Sequence, residues 1–119
     1  MRILITGSRY HKDPQMIEKA IEEQVEHLDS YESVVIIQGE CPYGGADKYA
    51  SDWARNNGAI DESYPADFKR LGPSAGPKRN QKMVDSGADV CLAFPEDGSR
   101  GTWDCVRKAK KAGIPVKVY

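Results

Sequence analysis

Four stretches of this chain hold the residue types that could do chemistry. Gly7-Ser8-Arg9 follows one short apolar run, Gly39 and then Gly44-Gly45-Ala46-Asp47 follow a second, and Pro95-Glu96-Asp97-Gly98-Ser99-Arg100-Gly101-Thr102 follows a later one. The fourth stretch, Gly76-Pro77-Lys78-Arg79-Asn80-Gln81-Lys82-Met83, is basic where a helix is expected to start. Glycine lets backbone N–H groups approach an oxyanion closely, and a helix that follows adds favourable partial charge, so phosphate is the natural guest of such loops. Any one of them alone would more often be a tight turn; three at one sheet edge make the stronger case.

Roles follow from residue type. Gly7, Ser8, Gly98, Ser99, Gly101 and Thr102 are candidates for phosphate contacts, with Gly45 in the neighbouring loop. Arg9 and Arg79 could each clamp a phosphate bidentately, a charge-assisted contact of about 1.5–3 kcal/mol. Asp47 and Asn80 would position a ribose or a loop, although Asp47 reads equally well as a helix cap. The spacing is not a dinucleotide fingerprint, since Gly7 is followed by Ser8-Arg9-Tyr10, and there is no Walker lysine motif. His11 and His27 receive no catalytic role. Of the three cysteines, Cys41 alone is a candidate for a nucleophile test, while Cys91 and Cys105 read as buried strand and helix residues. Tyr49, Trp53 and Trp103 read as packing residues, with base stacking at Trp103 the minor alternative.

The elements that must position these residues alternate in type. Arg2 to Thr6 reads as a buried strand, and Asp13-Pro14 caps a helix with Met16, Ile17, Ala20, Ile21, Val25 and Leu28 at helical spacing. Ser33 to Gln38 is a second buried strand, a helix runs from about Asp47 to Asn56, and Ala59 to Tyr64 is a weak edge strand. Pro65 to Pro77 is an irregular Gly/Pro-rich stretch of the kind that forms lids or ligand contacts. A helix from Lys78 to Ser86, a strand Asp89 to Phe94, a helix Thr102 to Ala112 and a strand Pro115 to Val118 complete the pattern. This is the order of an α/β fold: one Rossmann-like three-layer α/β/α sandwich over residues 1–119, with a mainly parallel five-stranded sheet. Ligands of such sheets sit beyond the carboxyl ends of the strands.

Composition sets the outer bounds. The 119 residues are 39% hydrophobic, enough for one domain with a modest core. Seventeen Lys and Arg against eighteen Asp and Glu give a net charge of −1, so nothing global recruits nucleic acid or an anionic membrane. Three scattered cysteines argue against a disulfide framework or a zinc module, and no apolar run is long enough for a membrane span. A strand opening directly at the N-terminus, with no signal-peptide pattern, sets a cytoplasmic expectation. No cofactor and no metal is expected.

In order, the pieces "ILITGSR", "GGADKYASDWA", "YPADF", "AGPKRNQKM", "AFPEDGSRGT" and "AGIPV" resemble the SLOG superfamily of Rossmann-like nucleotide-binding domains, most closely its YspA group, related to YpsA. The resemblance implies binding or sensing of a nucleotide or nucleotide-derived small molecule, and a homodimer, since relatives often pair. It also implies two alternatives. The LOG branch, phosphoribohydrolases of cytokinin-type nucleotides, carries Arg-Lys-x-x-Met and Pro-Gly-Gly-x-Gly-Thr-x-x-Glu. Here Arg79 and Met83 remain in the first, but the second has an insertion and Cys105 stands at the glutamate. An N-glycosidase acting on nucleoside monophosphates would then depend on Arg79 and on Asp104, which projects about 100 degrees around the helix from Cys105. The DprA branch binds single-stranded DNA, and its Gly-Ser-Arg and Arg-Asn pieces are similar to Gly7-Ser8-Arg9 and Arg79-Asn80. Near-neutral charge favours a smaller ligand over a strand of phosphates.

Overall fold

A β-branched run forms the middle of the sheet because it can be covered on both faces. In the computed structural model, which describes residues 1–40 and 44–119, this strand is β1 (Arg2–Gly7). The other strands are β2 (Val35–Gln38), β3 (Ile60–Ser63), β4 (Val90–Phe94) and β5 (Val116–Val118). Their order is β3-β2-β1-β4-β5, and every neighbouring pair is parallel. The chain therefore has a Rossmann-like α/β fold, with the weak Ala59–Tyr64 segment supplying the expected edge strand.

Helices α1 (Pro14–Val25) and α2 (Ala46–Asn56) cover one face, and α4 (Ala75–Asp85) and α5 (Arg100–Lys111) cover the other. Alternation along the strands divides the core between them. Ile3, Ile5, Ile36, Leu92 and Phe94 pack with Ile17, Ile21, Val25, Ala50 and Trp53, whereas Leu4, Ile37 and Cys91 pack with Met83, Val84, Cys105 and Ala109. Asp13 caps α1 as expected, its carboxylate accepting from the Met16 amide at 3.2 Å. The helix stops at Val25, so Leu28 and the exposed His27 lie in the turn beyond it, and Leu28 is joined to Val25 by a turn hydrogen bond of 2.9 Å.

The expected irregular stretch Pro65 to Pro77 is largely helical. A four-residue helix α3 (Phe68–Leu71) is capped by Asp67, whose side chain accepts from the Arg70 amide, and a 3-10 turn at Gly72–Ser74 leads straight into α4. Helix α4 begins at Ala75, not at Lys78. Pro77 is compatible with this because first-turn amides have no acceptor within their own helix, so its missing N–H leaves nothing unpaired. Likewise α5 begins at Arg100, which takes Gly101 and Thr102 into its first turn. No described helix is long and apolar enough to cross a membrane.

Candidate functional site

The carboxyl ends of β1, β2 and β4 meet the starts of α2 and α5 and the second turn of α4. Gly7 ends β1 as a packing glycine: a β-carbon there would lie 2.6 Å from Ala46 Cβ and 3.0 Å from Phe94 Cβ. Ser8 is buried and almost fully used by the fold. Its amide donates to the Phe94 carbonyl at 3.0 Å, its hydroxyl accepts from the Tyr10 amide at 3.0 Å, and its carbonyl accepts from the Ala46 amide at 3.1 Å. What Ser8 can still offer a ligand is its hydroxyl hydrogen. Arg9 is exposed, with its guanidinium carbon 5.0 Å from the Tyr10 ring centre.

Gly45 is the residue before α2, with φ 79° and ψ −159°, a region open only to glycine. A β-carbon there would lie 2.5 Å from Arg9 Cα, so β1's loop and α2 are locked backbone to backbone. Asp47 is consequently not the helix cap its position suggested; it is the second residue of α2, in the first turn, where its charge complements the helix dipole.

Arg79 sits one turn inside α4 rather than at its start, and its side chain turns inward. Nη1 donates to the Gly39 carbonyl at 2.7 Å, and Nε donates to Asn80 Oδ1 at 2.9 Å. A β-carbon on Gly39 would lie 2.8 Å from Arg79 Cζ and 3.1 Å from Asp47 Oδ2, so a guanidinium from one face of the sheet and a carboxylate from the other close over Gly39. Asn80, only 3% exposed, then carries the chain of contacts to α5: Nδ2 donates to the Gly101 carbonyl and to Asp104 Oδ2, each at 3.1 Å.

Asp104 also accepts from Lys108 Nζ at 2.7 Å, and Lys108 reaches the Pro77 carbonyl at 2.9 Å. Partial burial pushes the Asp104 carboxyl up most, but hydrogen bonds from Lys108 and Asn80 and the charges of Lys108 and Arg107 together outweigh it. The carboxyl therefore titrates below its ordinary value and is held as an anion. Cys105, at the position of the LOG glutamate, faces the opposite way into the core beside Cys91. The neighbouring Cys105 and burial push the Cys91 thiol above its ordinary value.

The acidic Gly98 loop is less integrated. Gly98 has φ 79° with open space beside it, and Ser99 Oγ accepts from the Glu96 amide at 2.8 Å. Thr102 is 4% exposed. Thus Arg79, Asn80, Gly101 and Asp104 form one bonded cluster with Gly39, and Ser8, Arg9 and Gly45 form a second. Gly98 and Ser99 instead line a groove of about 410 Å³ with Arg100, Trp103 and Arg107. Trp103 is 41% exposed there and is not the core residue expected, whereas Trp53 is. Cys41 lies outside the described residues. Among the described residues, no group of three or more His, Cys, Asp or Glu side chains is placed to hold a metal ion.

A polar network at the ends of β2 and β3 was not anticipated. Gln38, 1% exposed, donates through Nε2 to Asp61 at 2.9 Å and to Ser63 at 2.7 Å, and Asp61 also takes hydrogen bonding from Ser51 and faces Arg55. Beside it a cleft of about 190 Å³ is lined by Gln38, Glu40, Asp47, Lys48 and Arg55 among others. Glu40 adopts φ 52° at its rim. The available signal was Gln38 itself, a polar residue closing an otherwise apolar strand. Lys108 was legible too, since Asp104 stands four residues before it.

The profile of the YspA, cpYpsA-related SLOG family matches residues 1–71. The Gene 61 protein of Mycobacterium phage D29 is 45% identical over 120 residues, covering 97% of this chain and 93% of that protein. No solved structure gives a significant match.

Proposed function

Because the chain belongs to the YspA, cpYpsA-related SLOG family, with the nucleotide-related Rossmann-like function that membership suggests, we propose that it binds a nucleotide or nucleotide-derived small molecule at the carboxyl edge of the sheet, as a sensor more than a catalyst. The observation that carries this reading is the posture of Arg79. Its bonds to Gly39 and Asn80 engage two of five N–H donors and fix the guanidinium before any ligand arrives. A preorganised guanidinium loses less side-chain entropy when it meets a phosphate. Gly101 and Thr102 in the first turn of α5 are among the amides with no acceptor inside their own helix, and they would serve the same anion. Asp47, at the same edge, suits a ribose hydroxyl.

The N-glycosidase alternative has less support. Asp104, its proposed assistant, is an anion bonded by Asn80 and Lys108, and Cys105 is buried away from the edge. A group held ionised is a poor proton donor to a departing base. Calorimetry against a panel of nucleoside monophosphates, ADP-ribose and cyclic nucleotides tests the binding reading. One ligand should bind below millimolar dissociation constant, and Arg79→Ala should weaken it at least tenfold. Failure of every ligand, or indifference to Arg79→Ala, overturns the assignment. Release of free base from AMP or CMP would move the protein to the glycosidase reading.

A further inference from the structure

The loop that follows β1 holds an aromatic ring that the fold leaves outside. Tyr10 is 66% exposed, the most open large apolar side chain among the described residues. The backbone that carries it is nevertheless pinned on both sides. Its amide donates to the Ser8 hydroxyl at 3.0 Å, and the His11 amide closes the turn on the Ser8 carbonyl at 3.3 Å. Before the ring, a β-carbon on Gly45 would lie 2.5 Å from Arg9 Cα, so the start of α2 abuts the turn directly. After it, His11 is 8% exposed, accepts at Nδ1 from the Asp13 amide at 3.2 Å and sets its ring edge-on to Phe94 at 6.0 Å. A tyrosine on a turn this well fixed has only two side-chain torsions left to order when it meets a flat partner.

The place of this turn matches the connectivity of a nucleotide. Arg79, the proposed phosphate contact, and Asp47, the proposed ribose contact, meet over Gly39, with Arg79 Cζ 2.8 Å and Asp47 Oδ2 3.1 Å from one point beside its α-carbon. Asp47 follows Gly45 by two residues, and Gly45 touches Arg9, the neighbour of Tyr10. Phosphate, ribose and base would therefore meet Arg79, Asp47 and Tyr10 in the order in which they are bonded. The Arg9 guanidinium carbon, 5.0 Å from the Tyr10 ring centre, braces the ring from one side. Two other exposed rings are less suited: Tyr119 is already stacked on Phe94 at 5.0 Å, and Trp103 lines the separate groove with Arg100 and Arg107.

We infer that Tyr10 is the stacking platform for the base, which makes the ligand a nucleotide with its base intact and not a base-free sugar phosphate. The inference rests on the proposed carboxyl-edge site and adds to it the residue that meets the base. Stacking tolerates any base, since each has a π-face, and it grows with ring area. Tyr10 thus favours purines over pyrimidines without choosing between adenine and guanine.

Calorimetry of the full chain with AMP, GMP, CMP, UMP and ribose 5-phosphate tests it. The purine nucleotides should bind more tightly than the pyrimidine pair, and ribose 5-phosphate most weakly. Tyr10→Ala should weaken the tightest of the four nucleotides at least about fivefold, the lower end of base–aromatic stacking, and leave ribose 5-phosphate unchanged. Tyr10→Phe should keep nucleotide affinity within about twofold of the parent, because the ring and not the hydroxyl does the stacking. Arg79→Ala should weaken nucleotide and sugar phosphate alike. Phe68→Ala, at a ring 60% exposed on α3, should leave nucleotide binding unchanged, and the urea midpoint of Tyr10→Ala should match that of the parent. The inference is overturned, and the carboxyl-edge site spared, if Arg79→Ala weakens nucleotide binding while Tyr10→Ala does not. It is overturned as well if Phe68→Ala costs as much as Tyr10→Ala, or if ribose 5-phosphate binds as tightly as the nucleotides. If no nucleotide binds the parent chain, the carboxyl-edge site falls and this inference with it.

Discussion

Arg79 Nη1 donates a 2.7 Å hydrogen bond to the carbonyl of Gly39, forty residues earlier in the chain. The contact ties the second turn of α4 to the residue just after β2, and it needs a bare α-carbon to pass over. The arginine expected to clamp a phosphate is thereby fixed at the carboxyl edge. Replacing Arg79 by Lys should fail to restore nucleotide affinity lost in Arg79→Ala, since an ammonium cannot hold Gly39, Asn80 and a phosphate in one planar fork. Calorimetry on the two variants side by side reads this directly.

Gly39→Ala and Gly45→Ala should separate a displaced side chain from a broken backbone contact. At Gly39 the new methyl meets the end of the flexible Arg79 side chain, so unfolding in urea should shift by less than about 1 kcal/mol while nucleotide binding falls. At Gly45 it meets the backbone of Arg9 and is placed in a glycine-only conformation, for a loss of about 2 kcal/mol or more. Equal loss of stability in both variants would contradict the assignment of Gly39 to the site.

Asn80→Ala should be costly for a single amide. It strips partners from Arg79 Nε, the Gly101 carbonyl and Asp104, in a position only 3% exposed. Each part-buried hydrogen bond lost costs about 0.5–1.5 kcal/mol, a sum that chemical denaturation resolves. Asn80→Asp should be worse than Asn80→Ala above neutral pH, because it sets a second carboxylate against Asp104.

The pH dependence of stability should carry an Asp104 signature. Its folded carboxyl is held below the ordinary value of 3.8, so in this range the unfolded chain binds the proton more readily. The stabilisation is fully present above that ordinary value and is lost as pH falls through the lower folded one. The gap in unfolding free energy between the parent chain and Asp104→Asn should therefore be constant near neutrality and close in acid. A gap that instead widened on acidification would show a raised carboxyl and reopen its role as a proton donor.

Strands and helices were legible locally because their signals are local. Apolar runs such as Ile3 to Ile5 have no partner but a buried sheet, and Asp13-Pro14 starts a helix whatever surrounds it. Asp67 was a cap of the same kind, overlooked because the prolines and glycines around it read as a loop, although a proline inside a first turn breaks no hydrogen bond. The importance of Arg79 and Asn80 was also readable, but their bonding was not: Gly39, Gly101 and Asp104 are distant in the chain and meet them only after two crossovers stack α4 beside α5.

Residue types and their periodicity were thus enough to specify which segments fold, in what order, and at which sheet edge the polar residues gather, because each depends on neighbours a few positions away. Folding alone decided that Ser8 is spent on backbone and that Asp104 turns to Lys108 while Cys105 turns to the core. Those outcomes depend on which side of the sheet each crossover takes and on how far each helix is rotated. Long-range packing sets both, and no window of sequence contains it.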